Sequence, residues 1–108
     1  MQPEVQARYS ARAKVIKALA HPTRLFMVDE LSRRGKRCVC DLTDLVGADM
    51  STVSRHLAIL KNAGIIGDER HGSQIFYQVK IVGIGNLLKC VETLFQKTTQ
   101  TQMHSLQN

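Results

Sequence analysis

The chain has 108 residues, 44% of them apolar, and carries 15 Lys and Arg against 9 Asp and Glu, a net charge of +6. That length suits one domain with a single core, and the positive balance favours an anionic partner such as nucleic acid. No apolar run approaches the ~20 residues of a membrane span; Glu4, Arg8 and Arg12 interrupt any signal-peptide core; and three cysteines, an odd number, argue against a disulfide framework. The expectation is a cytoplasmic protein with reduced thiols and no membrane partner.

Residues 4–20 place Val5, Tyr9, Ala13, Ile16 and Leu19 on one stripe, with Arg8, Arg12, Lys14 and Lys17 off it, which predicts an amphipathic helix. His21-Pro22-Thr23 breaks that pattern, because the residue before a proline disfavours helix and proline suits a first turn. A second helix follows to about Arg34, with Leu25, Phe26, Val28 and Leu31 apolar. Arg33 to Arg37 reads as a basic turn in which Gly35 ends the helix. A third, short helix is expected over Val39–Val46, with Leu42, Leu45 and Val46 inward.

Gly47-Ala48-Asp49-Met50 is a tight corner into a fourth helix. Asp49 is its expected N-cap, Val53, Leu57, Leu60 and Ala63 form its apolar face, and Gly64 supplies a left-handed stop. The opposite face carries Ser51, Thr52, Ser54, Arg55, His56 and Lys61. Short hydrogen-bonding side chains with positive charge and no acid suit a DNA major groove. For a helix taken alone, a plain solvated surface explains the same residues. Two short helices joined by such a corner make a helix-turn-helix, which favours the reading helix.

Ile65–Arg70 and Gln74–Val79 read as strands, with His71-Gly72-Ser73 as a hairpin signal. Arg70, His71, Ser73 and Gln74 lie at or beside its tip. Residues 81–98 return to helical spacing through Ile84, Leu87, Leu88, Val91, Leu94 and Phe95. Residues 99–108 are mostly polar and read as a flexible tail. The fold expected is mainly α with a β-hairpin wing: a winged helix-turn-helix domain over residues 1–98. Its first and last helices are more apolar than the core between them requires, and are the expected homodimer surface for a two-fold operator.

Cys38-Val39-Cys40-Asp41-Leu42, Ser51-Thr52-Val53-Ser54-Arg55-His56-Leu57 and the Leu60–Gly64 helix end before the hairpin together resemble the ArsR/SmtB family of arsenic- and metal-responsive repressors. Ala20-His21-Pro22-Thr23-Arg24-Leu25 is similar to that family's approach to its second helix. The likeness covers roughly residues 13–98, and the Cys-Val-Cys-Asp-Leu motif resembles its thiolate-binding branch. The resemblance implies a homodimeric repressor that occupies operator DNA when empty and leaves when metal binds. It implies Cys38 and Cys40 as ligands. The position where some relatives carry a further cysteine is Thr43, and residues 82–96 lack the Asp and His of the zinc-sensing relatives. A third ligand is therefore Cys90, an exogenous thiol or water. A pyramidal three-ligand ion, As(III) or Sb(III), fits as inducer better than a tetrahedral one; another soft metal such as Cd(II) or Pb(II) is the alternative. No organic cofactor is implied.

On a regular helix, side chains two residues apart point roughly 200° apart. Cys38 and Cys40 therefore cannot both bind one ion while the third helix stays regular, and if they chelate its first turn must unwind or tilt. Because that helix positions the reader, distortion would reach the DNA contacts. The basic run Arg33–Arg37 and a helix N-terminus are expected to lower the thiol pKa values, although the family's usual Glu-Leu before the first cysteine is here Lys36-Arg37. Plainer readings exist for each residue. Two small side chains can simply fill a helix start, and Cys90 on an apolar stripe can be packing. Arg55, Arg70 and His71 suit phosphate or groove, while Ser51, Thr52 and Ser54 could meet either phosphate or base. His56 either meets a phosphate or braces the reader. His21, His71 and His104 share no ligand spacing.

An enzyme is not expected. Gly83-Ile84-Gly85 lacks the third glycine of a dinucleotide fingerprint, position 88 being Leu. Cys-x-Cys is not the Cys-x-x-Cys of thioredoxin-like proteins. A thiol-redox-switched DNA binder is a further alternative. In such relatives the paired cysteines stand in the second and last helices, where this chain has Asp29 and Gln96.

Overall fold

The computed structural model describes the backbone over residues 1–107 and the side chains over residues 1–97. Its elements run α1 (Pro3–Leu19), α2 (Pro22–Arg34), β1 (Arg37–Cys38), α3 (Val39–Val46), α4 (Met50–Asn62), β2 (Ile66–His71), β3 (Gln74–Val79) and α5 (Ile84–Gln107). The three strands form one antiparallel sheet in the order β1-β3-β2.

Local chemistry sets most boundaries. Pro22 opens α2, and the His21 ring caps it by accepting the Thr23 N–H at Nδ1 over 3.1 Å. Asp49 caps α4, as its side-chain chemistry predicts. Gly64, at φ +81°, closes α4: its N–H bonds Lys61 O and the Ile65 N–H bonds Leu60 O, the paired pattern of a Schellman stop. At the wing tip His71 pairs with Gln74 around Gly72-Ser73. Gly72 alone takes the positive φ there, which gives the two-residue turn that matches strand twist.

The core lies between α2, α3, α4 and the base of the wing. Met27, Val28, Leu31, Leu42, Val53, Leu57, Leu60, Ile65 and Ile66 are buried, and Ala18, Leu19 and Ile84 close its edges. The long outer helices contribute little more to it. On α1, Tyr9 and Ile16 are 54% and 58% exposed; on α5, Val91 and Phe95 are 57% and 67% exposed. Among the described residues these apolar side chains stay largely open to solvent.

Several details differ from the sequence reading: β2 runs over Ile66–His71, one residue later than expected, α5 starts at Ile84, and Leu45 of α3, expected inward, is exposed. Helix α5 continues through Gln107, past residue 98 where the apolar spacing lapses; Asn108 and the side chain of His104 lie outside the described residues. The segment read as a basic turn holds a short strand, β1, whose Arg37 and Cys38 pair with Tyr77 and Phe76. Two residues show no periodicity, and only their long-range pairing makes them a strand.

Candidate nucleic-acid interface and thiol pair

Helix α4 presents two different faces. Val53, Leu57 and Leu60 are buried, while Ser51, Ser54, Arg55, Ala58, Ile59 and Lys61 are exposed and Thr52 is half-buried. Asp49 Oδ1 accepts the Thr52 N–H at 2.7 Å and the Ser51 hydroxyl at 2.6 Å. These bonds, the Ser51 one foremost, lower the Asp49 carboxyl to about 2. Ser51 is thereby partly committed to the cap. Ser54 and Arg55 stand on the open face.

Beyond the cap, Lys61, His71 and His56 of the sequence-identified contact residues also have side-chain partners within the chain. Lys61 Nζ lies 2.9 Å from Asp68 Oδ2 on β2, a bond that raises its pKa and ties the end of α4 to the wing. His71 Nε2 lies 3.0 Å from Glu69 Oε2, and Lys36 Nζ meets the same oxygen at 2.9 Å. The Lys36 and His71 bonds hold the Glu69 carboxyl below its ordinary value. His56 is half-buried: its ring lies 4.5 Å from that of His21, and its Nδ1 is 3.1 Å from Arg24 Nη1. Burial, then the neighbouring His21, Arg24 and Arg55, lowers its pKa. Arg70, Ser73 and Gln74 remain exposed at the wing.

Sequence reasoning gave Arg24 no role. Its Nε donates to the Ala18 carbonyl over 2.6 Å while Nη1 reaches His56. A basic residue on an amphipathic helix reads as a solvated surface group, and nothing local announces a partner far along the chain.

The thiols depart from the helix geometry the sequence suggested. Cys38 is not in the first turn of α3. It is the N-cap, extended at ψ 160°, because its backbone belongs to β1 and its Sγ accepts the Asp41 N–H at 3.4 Å. Only Cys40 lies on the helix, so the opposed orientation of two sulfurs on one coil does not arise. Cys38 is buried and Cys40 exposed. The expected lowering of the pKa fails for Cys40. Its neighbour Cys38 raises it first, followed by desolvation and the acids Asp41 and Asp44. Thr43 bonds the Val39 carbonyl through its hydroxyl. Cys90 is exposed on α5, and among the described residues no three His, Cys, Asp or Glu side chains group as a metal site. By donor chemistry the two sulfurs suit a thiophilic ion.

A helix-turn-helix with an exposed, acid-free reading face and an adjoining hairpin defines a winged-helix DNA-binding regulator. Residues 21–67 match the family model for bacterial regulatory proteins of the arsR family. An uncharacterized HTH-type transcriptional regulator of Methanocaldococcus jannaschii is 34% identical over 87 residues, 81% of this chain and 98% of the relative. The arsenical resistance operon repressor of Bacillus subtilis is 42% identical over 72 residues, 67% of this chain and 69% of the repressor. The homodimeric winged helix-turn-helix DNA-binding domain of a possible ArsR-family regulator from Mycobacterium bovis superposes with a TM-score of 0.80. It is 26% identical, and the match covers 94% of this chain and 93% of that one. The chain belongs to the arsR family of bacterial regulatory proteins. Its relatives are DNA-binding transcriptional regulators and not enzymes, and no described helix is long and apolar enough to cross a membrane.

Proposed function

We propose that the chain is a cytoplasmic homodimeric repressor that holds operator DNA through α4 and the wing and releases it when As(III) or Sb(III) is captured by Cys38 and Cys40. The observation that carries this reading is the position of Cys38. Its sulfur caps α3, the helix packed against α4, and its backbone pairs with β3 of the wing. Both DNA-facing elements are therefore one step from the same thiol. An ion shared by both thiols turns the Cys38 sulfur toward Cys40 and away from the Asp41 N–H, and an eight-residue helix has little else to fix its start. The ion thus favours a loosened α3, DNA favours the capped one, and each weakens the binding of the other by the same factor.

Two soft sulfurs select a soft ion, and the name of the Bacillus subtilis relative supports an arsenic-class one. Cys90, which is expected to lie at the α1–α5 dimer surface, or an exogenous thiol supplies the third ligand. Ser54, Arg55 and Arg70 are the foremost DNA contacts, with Ser51, Thr52, Ser73 and Gln74 beside them; His56, Lys61 and His71 act chiefly by bracing.

The test is fluorescence anisotropy on a labelled duplex that wild-type protein selects from a random-sequence pool, titrated with arsenite, antimonite, cadmium and zinc. Arsenite is expected to release wild type and to leave Cys38→Ser and Cys40→Ser bound. Cys90→Ser separates two protein thiolates from three. Release that persists without both Cys38 and Cys40 overturns the site, and release by cadmium alone replaces the metalloid with Cd(II) or Pb(II).

A further inference from the structure

Arg24 joins three helices. From α2 it donates through Nε to the Ala18 carbonyl in the last turn of α1, at 2.6 Å, and through Nη1 to His56 Nδ1 on α4, at 3.1 Å. His56 adjoins Arg55 on the exposed face, and the His21 ring leans on it at 4.5 Å and 43°. A guanidinium only donates, so the second bond exists only while His56 Nδ1 carries no proton. The groups that act on the His56 ring are His21 ahead of α2, Arg24 on α2 and Arg55 on α4 itself. All are cations or can become so, and none is an acid. A proton on His56 would remove the acceptor and set a further charge among them.

We propose that Arg24 is a positioning residue for DNA recognition, carrying the orientation of α1 to the reading helix through neutral His56, and that a proton on His56 uncouples the two. The inference rests on α4 being the reading helix. Its consequence is selective. Non-specific binding needs positive charge near phosphates, whereas sequence readout needs each reading helix of a dimer set at the right angle and spacing. Loss of the link therefore lowers the preference for the selected site more than the affinity for DNA in general.

The experiment compares the selected duplex with a random-sequence duplex of equal length, by anisotropy, at about pH 7.5 and about pH 4.5, the lower value being set well below an ordinary imidazole because the His56 pKa is lowered. Arg24→Met is expected to weaken binding to the selected duplex by about tenfold or more, the scale of one charge-assisted hydrogen bond, with little change on the random duplex. Wild type is expected to lose a similar part of its preference at the lower pH. His56→Asn, which offers an amide oxygen near the place of Nδ1 and does not titrate in this range, is expected to keep its preference at both. Unchanged preference in Arg24→Met, or a pH-dependent loss in His56→Asn equal to that of wild type, overturns the proposal. If Arg24→Met does not fold, Arg24→Lys, whose single ammonium cannot reproduce the two-armed fork, and the His56→Asn profile decide it. Arg55→Gln separates the two levels. If it binds the selected duplex as tightly as wild type, α4 is not the reader and the proposal falls with that assignment. If it weakens while Arg24→Met does not, only the role of Arg24 is lost.

Discussion

Cys38 lies opposite Phe76 across the antiparallel pair of β1 and β3, while its sulfur holds the Asp41 N–H of α3. One residue thus links the wing to the helix that supports the reader. Serine is a stronger N-cap than cysteine's weakly accepting sulfur, and alanine is none. Cys38→Ala is therefore expected to lose about 1 kcal/mol of stability in denaturant unfolding, and Cys38→Ser to retain it. Cys40→Ser, on the exposed side of the pair, is expected to leave stability unchanged. A Cys38→Ala protein as stable as wild type would mean that the cap is idle and that ion capture acts by another route.

The helices were legible in the sequence because their ends carry their own chemistry. Pro22, Gly47, Asp49 and Gly64 mark boundaries by backbone preference alone, and the buried face of α4 follows from the spacing of Val53, Leu57 and Leu60. The exposed polar face opposite it was legible for the same reason. What stayed hidden depends on distant partners. The strand β1 exists through pairing with Phe76 and Tyr77, and this fixes Cys38 as an extended cap ahead of α3. Arg24 meets His56 across 32 positions, and Lys36 meets Glu69 across 33. Neither contact leaves a periodic trace.

Dimerisation can be tested on the stripes that one chain leaves uncovered. Ile16 on α1 and Val91 and Phe95 on α5 are each more than half exposed. Burying such side chains is worth about 1.5–3 kcal/mol apiece, and a buried unpaired carboxylate is strongly unfavourable. Ile16→Glu and Val91→Glu/Phe95→Glu are expected to sediment as monomers with wild-type helix content by circular dichroism, and to bind the selected duplex far more weakly. A dimer unaffected by both would place the interface elsewhere.

Acid stability should report the Asp49 cap. Its carboxyl falls to about 2 from an ordinary value of 3.8, chiefly through the Ser51 hydroxyl and the Thr52 N–H. A group lowered on folding contributes stability that is whole above the unfolded value and is lost as pH falls through the folded one. Thermal melts between about pH 4 and about pH 2 should therefore fall less steeply in Asp49→Asn, which still caps but does not titrate, than in wild type. Equal slopes would mean that the Asp49 hydrogen bonds do not survive in solution.

Salt dependence should separate the two exposed cations of α4. Each cation that neutralises a phosphate adds about 0.9 to the slope of log affinity against log salt. Lys61 is paired with Asp68 at 2.9 Å and already faces a carboxylate. Arg55 stands on the open reading face, one residue from His56. Arg55→Gln is expected to lower the slope by about one, and Lys61→Gln to leave it nearly unchanged. Asp68→Asn releases the Lys61 ammonium and is expected to raise the slope and tighten binding at low salt. If Lys61→Gln costs as much slope as Arg55→Gln, Lys61 leaves Asp68 on the complex, and the wing must then move relative to α4 when DNA binds.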